Sequence, residues 1–214
     1  MITAKKDLLI LIGVSIIWLY ISVNMNTVLG LIYIAMVYFY WNKEQSGFVY
    51  PIIKGKENIA RILGISLIIA FVFIYLISGM IGSVAPGLKY ETFQKMFAIM
   101  DKPMSPYMTL FIIGLLVPIT EELFFRGSVM PFLAKELKMS GILLIIVSAA
   151  LFGVWHLMAY QAENQAMIAG FLFGTVTSFL VTKRGQLIEA IAIHSVLNTI
   201  VMLSSLGFLT IIGV

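Results

Sequence analysis

The chain has 214 residues, of which 61% are hydrophobic and only 11% charged, with a formal net charge of +4. A soluble domain carries roughly a quarter charged residues and cannot hide this much apolar surface, so the composition excludes an ordinary soluble protein. The basic residues are scattered at the ends of apolar runs, which indicates membrane topology and no nucleic-acid partner. The sequence has no cysteine, which excludes disulfides, thiolate nucleophiles and cysteine-based metal sites.

Apolar runs near the length of a membrane-spanning helix recur along the chain. Lipid forbids unpaired backbone groups, and the runs are too long and uniform for barrel strands. We therefore expect an all-α, polytopic transmembrane bundle with one domain, residues 1–214. The predicted spans cover about 8–23, 26–41, 60–82, 106–133, 141–160, 165–182 and 187–205.

Three further segments flank these spans. Residues 1–23 begin like a signal sequence but lack small-residue cleavage chemistry, so we expect a retained first helix. Within 83–105, aromatic residues and methionines recur at helical spacing between charges, which predicts an amphipathic helix on the membrane surface. The apolar end, 207–214, is too short to span and is expected to extend the seventh helix or form a partial eighth.

The basic residues predict an orientation in the cell membrane. With a cytoplasmic N-terminus, the inner connections hold ten basic residues and the outer ones three. The inner set is Lys5, Lys6, Lys43, Lys54, Lys56, Arg61, Lys135, Lys138, Lys183 and Arg184, and the outer set is Lys89, Lys95 and Lys102. With seven spans, the C-terminus would then lie outside. On this topology His156 lies near the outer end of its span, whereas Glu121 lies about 22 Å from the outer start of its own.

Ionisable and amide side chains interrupt three of the later spans. They are Glu121, Glu122 and Arg126 in the fourth, His156 in the fifth, and His194 and Asn198 in the seventh. Such groups normally face a bundle interior or a cavity and mark function. These three helices are therefore expected to present Glu121, His156, His194 and Asn198 to one polar pocket.

Helical spacing sorts the members of this set. Glu122 and Arg126 are four residues apart in the favourable acid-first order, which predicts an ion pair. Glu121 is rotated by about 100° from Glu122 and can point elsewhere. Pro118 removes a backbone hydrogen bond just before the glutamates and is expected to kink the helix there.

Three short motifs follow one another along the chain: Glu121-Glu122-Leu-Phe-Phe-Arg126, Phe152-Gly-Val-Trp-His156 and His194-Ser-Val-Leu-Asn198. In this order and at these spacings, they resemble the CPBP family of intramembrane proteases. This family includes CAAX prenyl endopeptidases and bacteriocin-immunity-like proteins. The similarity covers about residues 106–200, the expected catalytic core.

The resemblance implies hydrolysis of a peptide bond in an apolar, membrane-embedded or lipidated peptide. Glu121 would act as general base on a water that His156 helps to hold. His194 and Asn198 would stabilise the oxyanion, and Glu122 with Arg126 would support the helix.

Metal dependence is open at this level, because the family is described both as metalloprotease and as glutamate protease. We expect no cofactor, since the HExxH spacing is absent and Asn198 is a poor zinc ligand but a good oxyanion donor. The alternative is zinc held by Glu121, His156 and His194.

Two other classes of function use similar residues. A non-catalytic membrane protein that regulates a membrane partner, or that gives immunity to a bacteriocin, would keep the polar cluster as a structural core. A proton-coupled transporter would also bury glutamate and histidine, but no internal repeat supports it. The complete set of catalytic groups favours the protease.

Overall fold

A computed structural model describes residues 50–81, 105–159 and 164–205, together with the single residues 10, 13, 14, 17, 33, 34, 36 and 38. This part of the chain is helical and contains no strand. Its continuous helices are α1 (Ile59–Ile81), α2 (Pro106–Lys135), α3 (Gly141–Ala159), α4 (Asn164–Arg184) and α5 (Ile188–Ser205). They confirm the all-α prediction and match the third to seventh predicted spans.

The remaining predicted elements lie outside the described residues, wholly or for the most part. They are the first two spans, the surface helix within 83–105 and the partial eighth helix at 207–214.

Three of the helices, α1, α2 and α4, are long and apolar enough to cross a membrane, and α3 and α5 carry shorter apolar stretches. Large apolar side chains point outwards, among them Ile68 and Tyr75 of α1 and Ile142 of α3. Such a surface would be unfavourable in water but is the normal exterior of a protein dissolved in lipid. The chain is therefore a membrane protein.

Two wide, π-helical turns interrupt α2, at Ile112–Leu116 and Phe125–Val129. Each one closely precedes a proline, Pro118 or Pro131, whose ring would collide with the carbonyl group four residues earlier in a regular α-helix. A π-turn relieves this collision and releases carbonyl groups from the helical ladder. The irregularity predicted from Pro118 thus takes the form of a π-turn upstream of it.

Helices α3 and α4 pack closely because glycines line their contact. A Cβ on Gly153 would lie 2.8 Å from the carbonyl oxygen of Met167 and 3.1 Å from Phe171 Cβ. Further along the same contact, Ser178 donates a hydrogen bond to Ser148 across 3.2 Å. These small residues allow the two backbones to approach each other, as in other membrane helix pairs.

The start of α5 is fixed by the polypeptide that precedes α1. The backbone N–H groups of Leu187 and Ile188 donate to the carbonyls of Pro51 and Ile52, each across 2.9 Å. Leu187 also lies beside Gly127, where an added Cβ would come within 3.3 Å of it. Helix α5 therefore begins level with Gly127, about two turns inside the end of α2.

We predict that Gly153→Ala lowers the melting temperature in detergent, because its Cβ meets a backbone oxygen that cannot move alone. Overpacking of this kind costs about 1–3 kcal/mol, or roughly 2–4 °C per kcal/mol at this chain length. The matched control is Gly64→Ala in α1, where nothing lies within 4 Å. It should leave the melting temperature unchanged or raise it. Equal melting temperatures for Gly153→Ala and wild type would contradict the close packing of α3 on α4.

Candidate active site

Glu121 and Trp155 lie at the same depth in the bundle. Glu121 is fourteen residues before the end of α2, and Trp155 is fourteen residues after the start of α3. Since a short connection, 136–140, joins the two helices, their side chains meet, and Trp155 Nε1 donates to Glu121 Oε1 across 3.1 Å. The depth mismatch expected between His156 and Glu121 is therefore absent, because Glu121 lies midway along a helix of 30 residues.

Glu122 is the centre of a buried charged cluster. Its Oε1 accepts hydrogen bonds from Arg126 Nη1 at 3.1 Å and from His194 Nδ1 at 3.0 Å. Glu122 and Arg126 are both 0% exposed. The ion pair predicted from the i,i+4 spacing is thus present, and it also joins α2 to α5 through His194.

The rest of the Arg126 guanidinium faces an aromatic ring instead of hydrogen-bond acceptors. Its Nε and Nη2 atoms have no hydrogen-bond partner among the described residues. The guanidinium carbon lies 4.2 Å from the centroid of the Phe152 ring, a close cation–π contact. Gly174 gives it room, because a Cβ there would lie 3.2 Å from Nη2.

Glu121 lies on the other side of His194. Its Oε2 is 3.7 Å from His194 Nε2, so the imidazole lies between the two carboxylates. That separation is too long for a direct hydrogen bond and suits two groups that share a water molecule. Glu121 is 8% exposed, whereas Glu122 is fully buried, so the two adjacent glutamates occupy different environments.

His156 joins the site through the aromatic layer. Its Nδ1–H donates to the Phe152 carbonyl oxygen across 3.0 Å, which makes Nε2 the acceptor of the neutral ring. The Phe152 ring lies 4.4 Å from the His156 ring and 5.9 Å from the His194 ring, measured between centroids. Gly170 leaves space for His156, since a Cβ there would lie 2.9 Å from its Cγ.

Asn198 lies one turn after His194 but is bonded to a different part of α2. Its Nδ2 donates to the carbonyl oxygen of Ile113 across 3.1 Å, within the first π-turn. The structure thus brings Glu121, Glu122, Arg126 and His194 together, and the His156 ring packs against Phe152 beside them. It does not place Asn198 in contact with the glutamates.

Sequence reasoning missed the roles of Trp155 and Phe152. Both precede His156 on α3, and their side chains contact Glu121 and Arg126 respectively. The available signal was Trp155 itself, because a buried indole N–H usually finds an acceptor and the nearest polar span supplies carboxylates.

The zinc alternative can be tested against these contacts. No group of three histidine, cysteine, aspartate or glutamate side chains in the described residues could hold a metal ion. His156 donates Nδ1–H to its own helix and His194 donates Nδ1–H to Glu122, which leaves Nε2 of each ring for a ligand, as in many metal-binding histidines. In the described arrangement, however, Glu121, His156 and His194 do not form a group that could hold a zinc ion.

Residues 103–200 match the family model described as Type II CAAX prenyl endopeptidase Rce1-like. Through this segment the chain is similar to the Rce1-like family. The match covers a little under half of the chain and includes all three motifs, so the resemblance to the CAAX protease family is confirmed. No curated protein and no solved structure matched the chain.

The two glutamates should differ sharply when each is changed to glutamine. Glu122→Gln leaves Arg126 buried without its counter-ion, a change that typically costs about 3–5 kcal/mol. Glu121→Gln keeps an oxygen that can accept from Trp155, so we expect a cost below about 1 kcal/mol. Thermal unfolding of both variants in detergent measures the difference. Equal losses of stability would mean that the Glu122–Arg126 ion pair contributes no more to stability than the contacts of Glu121 do.

Proposed function

We propose that this chain is a CAAX-type intramembrane endopeptidase that hydrolyses a peptide bond in an apolar or lipidated peptide. The observation that carries the proposal is the unequal treatment of two adjacent carboxylates. Glu122 is compensated by Arg126 and held by His194, whereas Glu121 is partly accessible and receives one neutral donor, Trp155. A carboxylate left in this condition is suited to accept a proton.

The charges of the cluster support a single mobile proton. Arg126 balances one of the two carboxylates, so one proton on Glu121 or on His194 makes the whole cluster neutral. A neutral cluster is strongly favoured in a low-dielectric interior. Because Glu121 Oε2 and His194 Nε2 are only 3.7 Å apart, the proton can pass between them through a shared water.

Hydrolysis then follows in two steps. Glu121 removes a proton from the water as the water oxygen attacks the carbonyl carbon of the substrate, which forms a tetrahedral intermediate. The peptide C–N bond breaks as Glu121 returns that proton to the leaving nitrogen. His156, whose neutral ring offers Nε2 as an acceptor, helps to orient the water.

The oxyanion of the intermediate would be stabilised by groups of α5. Protonated His194 offers an Nε2–H, and Asn198 has a second N–H beside the one that Ile113 accepts. The Ile113 contact fixes the rotation of the Asn198 amide, and a donor fixed in advance loses little entropy when charge develops. Donors of this kind are worth about 10²–10³ in rate each.

We predict that Glu121→Gln lowers the turnover number about 10²–10⁴-fold, the range for loss of a general base. The assay is cleavage of a quenched fluorescent, prenylated CAAX peptide by purified protein in detergent, with and without a zinc chelator. The control is Glu136→Gln at the end of α2, which pairs only with Lys135 in the described residues and should keep wild-type activity. Equal cleavage by Glu121→Gln and wild type would refute the proposal, and loss with chelator would assign the reaction to a metal.

Trp155 should act as a positioning residue for Glu121. Trp155→Phe keeps the aromatic bulk but removes the indole N–H, and hydrogen bonds to charged groups contribute about 1.5–3 kcal/mol. We expect the turnover number to fall roughly 10–100-fold, with KM and the melting temperature little changed. The control is Phe125→Leu, which changes a neighbouring core residue that has no polar group. This variant should lower the melting temperature and leave the turnover number largely unchanged. A rise in KM alone would contradict the positioning role.

A further inference from the structure

A second polar site lies at the end of the bundle where α1 begins. A small cleft of about 40 Å³ opens there between α1, α4 and α5. Four charged residues line it: Glu57, Arg61, Arg184 and Glu189. None of them belongs to the cluster around Glu122, so this cleft has no part in the proposed hydrolysis.

Two of these four charges are already paired, and two are not. Glu189 lies 3.5 Å from Arg184 Nε and also accepts from Gln186. Among the described residues, Glu57 accepts a hydrogen bond only from the neutral amide of Gln186, across 2.8 Å. Within the described part of the chain, no cation lies within 4.0 Å of the Glu57 carboxylate and no carboxylate lies that close to the Arg61 guanidinium. The cleft therefore presents one unpaired anion and one unpaired cation.

An apolar wall continues from these charges. Ile65 and Ile69 of α1 and Leu180 of α4 line the same cleft. Arg61 and Ile69 are eight residues apart, so the wall rises about 12 Å along α1. Much of α1 here is exposed and apolar, as expected of a surface that faces lipid tails. The cleft thus joins a charged mouth to a groove at the depth of the acyl chains.

The position of the mouth agrees with a lipid headgroup. Lys54, Lys56 and Lys183 lie close to it in the sequence, at the end of the bundle that the charge distribution predicts to be cytoplasmic. Basic pockets between helices on this side bind the phosphate groups of anionic lipid headgroups, so the basic part of this mouth suits a lipid phosphate. A soluble zwitterion would use the charges but would leave the apolar wall uncovered.

We propose that this cleft binds a zwitterionic phospholipid with a primary ammonium group, that is, a phosphatidylethanolamine. The guanidinium of Arg61 would bind the phosphate, the carboxylate of Glu57 would accept from the ammonium, and one acyl chain would lie along Ile65 and Ile69. A phosphatidylcholine has no N–H to donate, and a phosphatidylglycerol has no cation for Glu57. Both should bind more weakly.

The test measures thermal unfolding of the full chain in detergent, with phosphatidylethanolamine, phosphatidylcholine or phosphatidylglycerol of the same acyl chains added. A further arm contains inorganic phosphate and ethanolamine without lipid. We expect phosphatidylethanolamine to raise the melting temperature by about 2–4 °C more than the other lipids, and the soluble ions to have no effect.

The variants assign that shift to the cleft. Glu57→Gln still accepts from Gln186 but should bring phosphatidylethanolamine down to the level of phosphatidylcholine. Arg61→Gln should remove the shift with every phospholipid. The control is Lys56→Gln, because Lys56 is exposed and does not line the cleft. This variant should keep the wild-type response. Each variant is compared with its own lipid-free melting temperature, so a general loss of stability does not affect the result.

Three results would overturn the proposal. They are equal shifts with all three lipids in the wild type, a phosphatidylethanolamine preference that survives both Glu57→Gln and Arg61→Gln, and an equal shift with the soluble ions. No substrate is present in this measurement, so its outcome is independent of the proposed peptidase activity.

Discussion

The buried pair of Glu122 and Arg126 is the interaction on which the rest of the structure depends. Neither side chain has access to solvent, so the pair is favourable only if its surroundings replace water. Helix α5 supplies His194 to the carboxylate, α3 supplies the Phe152 ring to the guanidinium, and α4 supplies the gap at Gly174. Four helices therefore meet at one ion pair, and their relative positions are fixed by the need to solvate it.

This arrangement would separate stability from the proposed chemistry in neighbouring residues. Because Glu122 holds His194 by Nδ1, the opposite nitrogen of the same ring is turned to Glu121. The structural carboxylate thus orients the imidazole that the proposed catalytic carboxylate uses. A change at Glu122 would disturb both the stability and the proposed chemistry, whereas a change at Glu121 would remove only the proposed chemistry. The hundred-degree rotation between successive helical residues is what allows this division within one turn of α2.

Sequence periodicity predicted the contacts that lie within one helix, and it could not predict those between helices. The Glu122–Arg126 pair follows from an i,i+4 spacing on a regular turn. The hydrogen bond from Asn198 to Ile113 does not, because it needs a carbonyl group that the π-turn before Pro118 releases. Nor does the bond from Trp155 to Glu121, which depends on how far α2 and α3 extend from their short connection. Composition and motif order predict the fold class and the candidate residues, but the partner of each polar group depends on helix depth.

Helix α5 is fixed on both sides of His194. This explains how the short distance between the His194 and Glu121 side chains can be maintained. Six residues before His194, the start of α5 is bonded to the backbone of Pro51 and Ile52. Four residues after it, Asn198 is bonded to the Ile113 carbonyl, and a Cβ on the adjacent Gly114 would come within 2.7 Å of Thr199 Oγ1. A helix held at these two points can neither slide nor rotate past α2 without breaking one of them. The distance between His194 Nε2 and Glu121 Oε2 is therefore set by the backbone of both helices as well as by the two side chains. The proposed mechanism needs such a fixed distance, because the water molecule must be held in one place while Glu121 deprotonates it.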